Sequence, residues 1–266
     1  MNPDAAREAA AMLWRHRCAG TVLHELPLAL RPRTHAEGHA IQAELPGVAG
    51  RSVVGWKIAA TSQAGQAHIN VGGPLAGRIL AGGVVDVGAA LSLAGNRMRV
   101  VEPEFAFRLG RSLPPRAAPY TADEVLDAVA SLHPAFEAPD SRYAEFTRAG
   151  QAQLIADAAC CGPFVLGPAA PELWRQLDLR SHGVRASVSN DSGVRFTREG
   201  EGRAALGDPR VALTWLANEL SALGIALEAG LFVSTGTCMV PLEVEPGDTV
   251  HADFGALGAL ALRLAA

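Results

Sequence analysis

The stretch of residues 99–109, which reads RVVEPEFAFRL, decides the fold of this chain. Every second position from Val101 to Phe107 is apolar, and Glu102 and Glu104 fall between the apolar residues. Alternation with a period of two is typical of a β-strand that has one face in a core. We therefore predict a strand over residues 99–109 that carries two carboxylates on its other face.

These carboxylates suggest a metal site. Glu102 and Glu104 lie on one face of the predicted strand, with Cα atoms about 6.5–7 Å apart. Carboxylates buried together repel each other unless a cation lies between them. A third acid, Glu137, follows in another short apolar run. Three carboxylates with open positions suit Mg²⁺ or Mn²⁺. The alternative interpretation is that Glu102 and Glu104 line a solvated strand face.

The composition excludes several classes of protein. The chain has 266 residues, of which 49% are hydrophobic and 19% charged, which is too apolar for a disordered chain. Its net charge of -4 offers no basic surplus for nucleic acid. No apolar run reaches the roughly 20 residues of a membrane span, and the N-terminus does not resemble a signal peptide. Four cysteines without a C-x-x-C pair fit reduced thiols. We expect a cytoplasmic enzyme that contacts neither nucleic acid nor membrane.

Helix caps and short apolar runs predict an α+β fold with a mixed or antiparallel β core. Capping patterns predict helices from Asn2 to about His16, from Thr34 to before Pro46, from Thr121 to Leu132, and from Asp208 to Gly224. Further strands are predicted at residues 52–58, 135–137, 184–188, 231–235, 249–254 and 259–264. We expect residues 1–48 to form a helical N-terminal lead-in and residues 49–266 a single catalytic, β-rich domain.

One compositional feature concerns a single residue. The chain has 23 lysine and arginine residues, and Lys57 is the only lysine among them. Because arginine occupies every other position of this kind, the single lysine suggests a site that needs a compact charge able to lose its proton. The alternative is that this is a surface lysine left by chance.

Two other patterns carry little weight. His35 and His39 are four residues apart on a predicted helix, a spacing that suits zinc, but no third ligand has a convincing position. We interpret both as exposed or locally hydrogen-bonded. Residues 200–205 formally fit a dinucleotide fingerprint, yet Pro209 follows too soon for the required helix, so we predict a turn. The chain has no G-x-S-x-G motif and no P-loop.

At this point the sequence resembles a known family, the 2-hydroxypenta-2,4-dienoate hydratases and 2-oxo-3-hexenedioate decarboxylases of the fumarylacetoacetate hydrolase superfamily. The similar segments keep their order from about residue 50 to the C-terminus. They are Gly55-Trp56-Lys57-Ile58 with Thr61-Ser62, Glu102-Pro103-Glu104-Phe105-Ala106-Phe107, Phe136-Glu137 with Asp140-Ser141-Arg142, Gly200-x-Gly202, Leu206-Gly207-x-Pro209 and Trp215-Leu216-Ala217-Asn218.

The resemblance implies a rolled, mixed β-sheet core with flanking helices, in a homo-oligomer. A complex with a neighbouring pathway enzyme is a further expectation. It implies that the three glutamates hold Mg²⁺ or Mn²⁺ and that Lys57 faces the substrate as a catalytic residue. The residues that it implies for substrate binding are Thr61, Ser62 and Asp157.

Two departures from the family pattern concern the substrate. Where the family commonly has Ala-Asp-Asn-Ala-Ser, this chain has Ala156-Asp157-Ala158-Ala159-Cys160, so an amide and a hydroxyl are missing. Ala59 also stands where glycine is usual. The metal ligands are retained, and we expect the substrate to differ from the familiar dienoate.

The leading hypothesis is hydration of a 2-hydroxy-2,4-dienoate to a 4-hydroxy-2-oxo acid in the catabolism of aromatic compounds, with a metal acting as Lewis acid. The first alternative is decarboxylation of a 2-oxo-3-enedioate at the same site. A second is hydrolysis of a C–C bond in an acylpyruvate, for which the sequence offers no convincing histidine. A third is a catalytically silent subunit that activates a partner enzyme.

Overall fold

The computed structural model of the chain describes residues 1–265, within which six α-helices surround two β-sheets. The helices are α1 (Pro3–Ala19), α2 (His35–Ala49), α3 (Gln63–His68), α4 (Ala122–Asp127), α5 (Gln151–Ala156) and α6 (Pro209–Ala222). The strands are β1 (Val53–Ala59), β2 (Leu75–Leu80), β3 (Ala90–Ser92), β4 (Val100–Leu109), β5 (Val129–Glu137), β6 (Phe164–Leu166), β7 (Gly183–Asn190), β8 (Gly193–Glu201), β9 (Phe232–Thr237), β10 (Leu242–Glu243), β11 (Thr249–Asp253) and β12 (Ala259–Ala265).

Both sheets are mixed. The larger sheet has seven strands in the order β2-β1-β9-β4-β5-β6, and β10 pairs with the start of β4. In it β1 runs parallel to β9, and the other neighbours are antiparallel. The smaller sheet has the order β3-β12-β11-β7-β8, with β3 and β12 parallel. The α+β fold with a mixed β core, predicted from the sequence, is confirmed.

Strand β4 separates two regions of the core, because its side chains alternate between them. Phe105 and Phe107 are fully buried in the larger core, which contains residues of both sheets and of α6. Ala106 belongs to a second core on the opposite face, to which α1, α2 and α5 contribute. Glu102 and Glu104 share the face of Ala106. The predicted alternation of β4 is confirmed, and it directs both carboxylates toward the helix-covered side of the sheet.

The caps that the sequence predicted begin the helices as expected. The Asn2 side chain accepts a hydrogen bond from the Asp4 N–H at 3.0 Å, and Pro3 occupies the first turn of α1. The Asp208 side chain accepts from the Arg210 N–H at 2.7 Å at the start of α6. Gly224, just beyond α6, has a φ of 73°, a left-handed conformation that glycine adopts without strain.

Two predicted helix ends were wrong. Helix α2 passes through Pro46 and continues to Ala49. Pro46 removes only one N–H donor from the backbone hydrogen bonds of the helix. The Pro46 carbonyl accepts a hydrogen bond from the Arg51 N–H at 3.1 Å, which closes the last turn. The helix predicted from Thr121 stops at Asp127. The residues after it form β5, in which Leu132 pairs with β4, so strand pairing overrides the helical periodicity.

The lead-in of residues 1–48 contains α1 and most of α2, which pack on the second core against residues of the larger sheet and α5. The division between this lead-in and a catalytic domain of residues 49–266 stays a prediction. Within residues 1–265, no helix is long and apolar enough to cross a membrane.

Candidate metal centre and active site

Three glutamates converge on the helix-covered face of the larger sheet. Glu102 on β4 lies directly opposite Glu137 on β5, and Glu104 follows two residues along β4. One carboxylate oxygen from each lies within 4.8 Å of the others. Glu104 and Glu137 are buried, whereas Glu102 is only partly buried. The cluster can therefore be approached from the side of Glu102.

Neighbouring backbone and side-chain groups fix two of these carboxylates. Glu104 accepts hydrogen bonds from the Gly236 N–H at 3.2 Å and from the Ser234 hydroxyl, both on β9. Glu137 accepts one from the Gly162 N–H at 3.3 Å through Oε1. These donors orient the carboxylates without neutralising them.

Burial and mutual repulsion make the glutamates reluctant to ionise. Burial raises the pKa of Glu102 to about 7, with the charge of Glu137 adding to the increase and Lys57 opposing it. Burial, followed by the charges of Glu137 and Glu102, raises the pKa of Glu104 well above its ordinary value. Burial also raises the pKa of Glu137, against which Lys57 and the Gly162 N–H act. The cluster needs a positive charge if all three groups are to be carboxylates.

Lys57 supplies one such charge from β1. Its ammonium lies 3.2 Å from Oε2 of Glu137 and donates to the Ala159 carbonyl at 3.0 Å. The side chain is 4% exposed, which excludes the interpretation as a chance surface lysine. Burial acts to lower the pKa of Lys57, but the charges of Glu137 and the other glutamates outweigh it and raise the pKa. Lys57 is therefore a cation here.

The donor set fits a hard divalent cation. Three carboxylates and one ammonium carry a net charge of -2 when ionised, which one divalent cation neutralises. Oε2 of Glu137 is buried and accepts no hydrogen bond from residues 1–265. Its contact with the Lys57 ammonium is an ion pair that lacks hydrogen-bond geometry. A buried carboxylate oxygen without a donor is costly unless a ligand binds it. Oxygen donors of this kind suit Mg²⁺ or Mn²⁺.

A strained segment covers Lys57. Ala158, Ala159 and Cys160 have positive φ values of 51°, 55° and 59°, a left-handed conformation that is unusual for three successive residues with side chains. This turn aims the Ala159 carbonyl at Lys57, and Gly162 beyond it holds Glu137. The segment of residues 157–162, which we call the covering segment, therefore positions both charges.

The covering segment is anchored by Asp157. The Asp157 Oδ2 accepts from the Ser141 hydroxyl at 2.9 Å and from the Arg142 N–H at 2.7 Å. Its Oδ1 lies 3.4 Å from the Arg17 guanidinium of α1, and Arg17 also donates to the Cys161 carbonyl at 2.6 Å. Asp140 pairs with Arg142. The Asp140-Ser141-Arg142 motif thus holds the covering segment in place.

The three residues predicted to bind substrate make different contacts. Asp157 directs both oxygens at protein partners. Thr61 contacts Gly236, whose N–H holds Glu104, so it borders the carboxylate cluster. Ser62 caps α3 by accepting from the Gly65 N–H at 3.0 Å. Contact of these three residues with a substrate stays a prediction.

The sequence interpretation missed several residues of the site. Ser234 and Gly236 belong to β9, where the only signal was the polar run Ser234-Thr235-Gly236-Thr237 inside an apolar strand. Gly162 and Arg17 gave no signal, because a backbone N–H and a distant helix residue reach the site only through the fold.

A cavity of about 330 Å³ is bordered by Ala158, Cys161 and Gly162 of the covering segment. Arg17, Arg78 and Arg142 contribute to its wall, but none of the three clustered glutamates does. We place the chemistry at the glutamates because charge, burial and an unsatisfied oxygen coincide there.

Comparison with known proteins relates this fold and site to others. No protein-family model matches the chain. A solved structure of 4-oxalocrotonate decarboxylase from Pseudomonas putida G7, complexed with magnesium and adipate, aligns with a TM-score of 0.85 at 24% identity, covering 99% of this chain and 98% of that chain. The fold is therefore the rolled mixed sheet of the fumarylacetoacetate hydrolase type, as expected.

Sequence comparison defines the family more narrowly. The chain is 31% identical to a 2-keto-4-pentenoate hydratase of Paraburkholderia xenovorans (strain LB400) over 263 residues, covering 98% of this chain and 95% of that protein. It is 32% identical to a 4-oxalocrotonate decarboxylase of a Pseudomonas species over 211 residues, covering 79% of this chain and 78% of that protein. The chain belongs to the family of 2-keto-4-pentenoate hydratases and 4-oxalocrotonate decarboxylases.

Proposed function

We propose that this protein is a metal-dependent hydro-lyase that adds water to a 2-hydroxy-2,4-dienoate and gives a 4-hydroxy-2-oxo acid. The observation that carries the proposal is the buried cluster of Glu102, Glu104 and Glu137 beside Lys57. The hydratase relatives that match nearly the whole chain support water addition as the reaction.

Each charged residue has a separate role in this proposal. Glu102, Glu104 and Glu137 hold Mg²⁺ or Mn²⁺. When bound, the cation supplies Lewis-acid stabilisation for negative charge on the C2 oxygen of the substrate. Lys57 has three N–H groups, of which one donates to Ala159 and one faces Glu137. The third binds the substrate carboxylate and orients the diene.

The surrounding residues position these groups. Ser234 and Gly236 hold the Glu104 carboxylate. Asp157 contributes to substrate binding by fixing the covering segment, since both of its oxygens are engaged. Thr61 borders the cluster through Gly236, and Ser62 follows it at the start of α3. Ala158 and Cys160 lack the amide and hydroxyl that the family commonly has there, so we propose a substrate range that differs from the familiar dienoate.

Decarboxylation of a 2-oxo-3-enedioate is the second candidate. The specific observation that favours it is the identity of 32% to a 4-oxalocrotonate decarboxylase. Both reactions need negative charge stabilised on the same oxygen, so the carboxylate cluster serves either one. Hydration is preferred because the hydratase relatives match a larger share of the chain.

The other two alternatives fit the site less well. Acylpyruvate hydrolysis needs a group that activates water, often a histidine. His133 lies on β5, but its ring nitrogens face the Ser131 hydroxyl and the Gly167 carbonyl, each at 2.8 Å. A silent subunit would have no need of the ion pair between Lys57 and Glu137. A homo-oligomer in the cytoplasm, and a complex with a neighbouring pathway enzyme, stay predictions.

Calorimetry with Mg²⁺ and Mn²⁺, together with the absorbance of 2-hydroxypentadienoate and analysis of its products, tests this proposal. We expect the wild type to bind metal and to hydrate the dienoate, and Glu104→Ala to do neither. If the wild type binds metal but does not convert the dienoate, decarboxylation becomes the proposed reaction. Release of CO₂ from a 2-oxo-3-enedioate would then confirm it. A wild type that binds neither metal would refute the role of the glutamates.

A further inference from the structure

A second cluster of metal-binding side chains lies where α2 meets α6. His35 and His39 are one turn apart on α2, and Glu219 approaches them from α6. The Nε2 atoms of His35 and His39 lie 3.0 Å and 3.9 Å from Oε1 of Glu219. Glu219 thus lies where a third ligand is needed, which the sequence did not reveal. The interpretation as exposed or locally bonded was wrong for His39, which is buried, whereas His35 is partly exposed.

His39 is the informative member of this cluster. The ring is 4% exposed, and neither Nδ1 nor Nε2 has a hydrogen-bond partner among residues 1–265. Buried ring nitrogens are nearly always satisfied by a donor, an acceptor or a ligand. Burial, followed by the charges of His35 and Arg78, lowers the pKa of His39 to about 3. A buried imidazole nitrogen that has no partner can offer its lone pair to a cation.

The spacing of the three donor atoms fits a tetrahedral ion. Zinc with bonds of about 2.0–2.1 Å to nitrogen and oxygen places neighbouring ligand atoms about 3.3 Å apart. The two nitrogen–oxygen separations of 3.0 Å and 3.9 Å bracket that value, and one ligand atom from each of the three residues lies within 4.8 Å of the others. His35 and Glu219 are partly exposed, so an ion can enter from solvent and keep water at the fourth position.

We propose that His35, His39 and Glu219 form a second metal site, selective for Zn²⁺ or a similar imidazole-binding divalent ion and separate from the carboxylate cluster. Imidazole ligands suit Zn²⁺, Co²⁺ and Ni²⁺, whereas Mg²⁺ prefers oxygen ligands. The site joins the lead-in helix α2 to α6, which is the helix of the larger core. A bound ion at this site stabilises the contact between the lead-in and the catalytic domain.

Titration of the wild type with Co²⁺ in the presence of excess Mg²⁺ tests this site. Mg²⁺ occupies the carboxylate cluster, so Co²⁺ reports on the histidine cluster through its visible absorption. We expect one Co²⁺ per chain and displacement of it by Zn²⁺. His39→Gln should weaken Co²⁺ binding by at least about tenfold, since it removes a direct ligand. His24→Gln, which alters an exposed histidine, should bind Co²⁺ like the wild type.

Glu219→Gln provides a second variant in case His39→Gln does not fold. It changes a partly exposed carboxylate to an amide of the same shape and should also weaken Co²⁺ binding. Zn²⁺ should raise the melting temperature of the wild type and of His24→Gln but not that of the two ligand variants. The site is refuted if the wild type binds no Co²⁺ under Mg²⁺, or if it binds Co²⁺ no more tightly than both ligand variants. Neither result bears on hydratase activity, which depends on the other cluster.

Discussion

The carboxylate cluster and the histidine cluster are both candidate metal sites. They differ in the free energy that their burial costs the folded protein when no ion is bound. The carboxylate cluster has three acids and one buried lysine, so its net charge is -2 when ionised. The histidine cluster has two imidazole rings and one partly exposed acid. Burying net charge costs far more free energy than burying a neutral ring.

The difference also lies in how each cluster is built. Glu102, Glu104 and Glu137 are held by adjacent strands in fixed register, with backbone N–H donors behind two of them. His35, His39 and Glu219 come from two helices that no strand pairing connects. We therefore predict that the carboxylate cluster is preorganised for catalysis. The histidine cluster is predicted to stabilise the contact between α2 and α6. Four experiments test this difference between the two clusters.

The largest expected effect is on activity. Glu137→Gln keeps the shape of the side chain but removes a ligand charge and the partner of Lys57. We expect hydratase kcat/KM to fall at least about a thousandfold, as loss of transition-state charge stabilisation does in other enzymes. Glu145→Gln changes an exposed acid and should leave kcat/KM unchanged. Full activity in Glu137→Gln would show that the chemistry occurs elsewhere.

The next effect concerns the stability of the metal-free protein. Lys57→Met removes the buried cation and leaves the glutamates uncompensated. We expect the free energy of unfolding in urea to fall by about 3–5 kcal/mol without metal, and Mg²⁺ to restore part of it. Arg185→Met, at an exposed ion pair with Glu199, should change it by less than about 1 kcal/mol. Equal losses in the two variants would contradict the charge balance proposed for the cluster.

A smaller effect is expected from the packing of the covering segment. A Cβ added at Gly77 of β2 would lie 2.0 Å from the Ala158 carbonyl oxygen and 3.1 Å from Cγ of Lys57. Gly77→Ala should therefore lower the free energy of unfolding by about 1–3 kcal/mol and reduce kcat, because the turn that holds Lys57 must move. Gly72→Ala is the matched control, since nothing lies within 4 Å of its added Cβ. If both variants are as stable as the wild type, the covering segment is not tightly packed.

The smallest effect is a pH dependence at the histidine cluster. Because the pKa of His39 is lowered to about 3 in the folded protein and lies near 6.5 when unfolded, the unfolded state binds one more proton between these values. As pH falls below 6.5, the free energy of unfolding of the metal-free protein should thus decrease by up to about 1.4 kcal/mol per pH unit. Above pH 6.5 this group should cause no change in stability. Arg78, His35 and Glu219 are the charged or titratable groups nearest to it.

The measurement is urea denaturation at several pH values with a chelator present. As pH falls from 6.5, the free energy of unfolding of His39→Gln should decrease less steeply than that of the wild type. The carboxylates contribute equally to the pH dependence of both proteins. His24→Gln should follow the wild type, since its exposed ring has no such environment. Parallel curves for wild type and His39→Gln would mean that His39 is protonated in the folded state.

Local patterns predicted much of the fold because they report on single elements. The alternation at residues 99–109 gave β4, and the caps at Asn2 and Asp208 gave the starts of α1 and α6. The same reasoning failed after Thr121, where helical spacing of Val125 and Leu132 competed with pairing to β4. Strand β2, which contains Gly77 and Arg78, was missed because it is buried throughout and shows no alternation.

Sequence alone identified the charged residues and those that share a strand face. It placed Glu102 and Glu104 together, named Glu137 as a third acid and singled out Lys57, and the family resemblance then implied that the three glutamates hold one metal. Only the tertiary structure decided which groups complete these sets, because a β9 N–H, a carbonyl at Ala159 and the Glu219 carboxylate are distant in sequence. Spacing along a chain fixes neighbours within one element, whereas neighbours across elements depend on how the whole core packs.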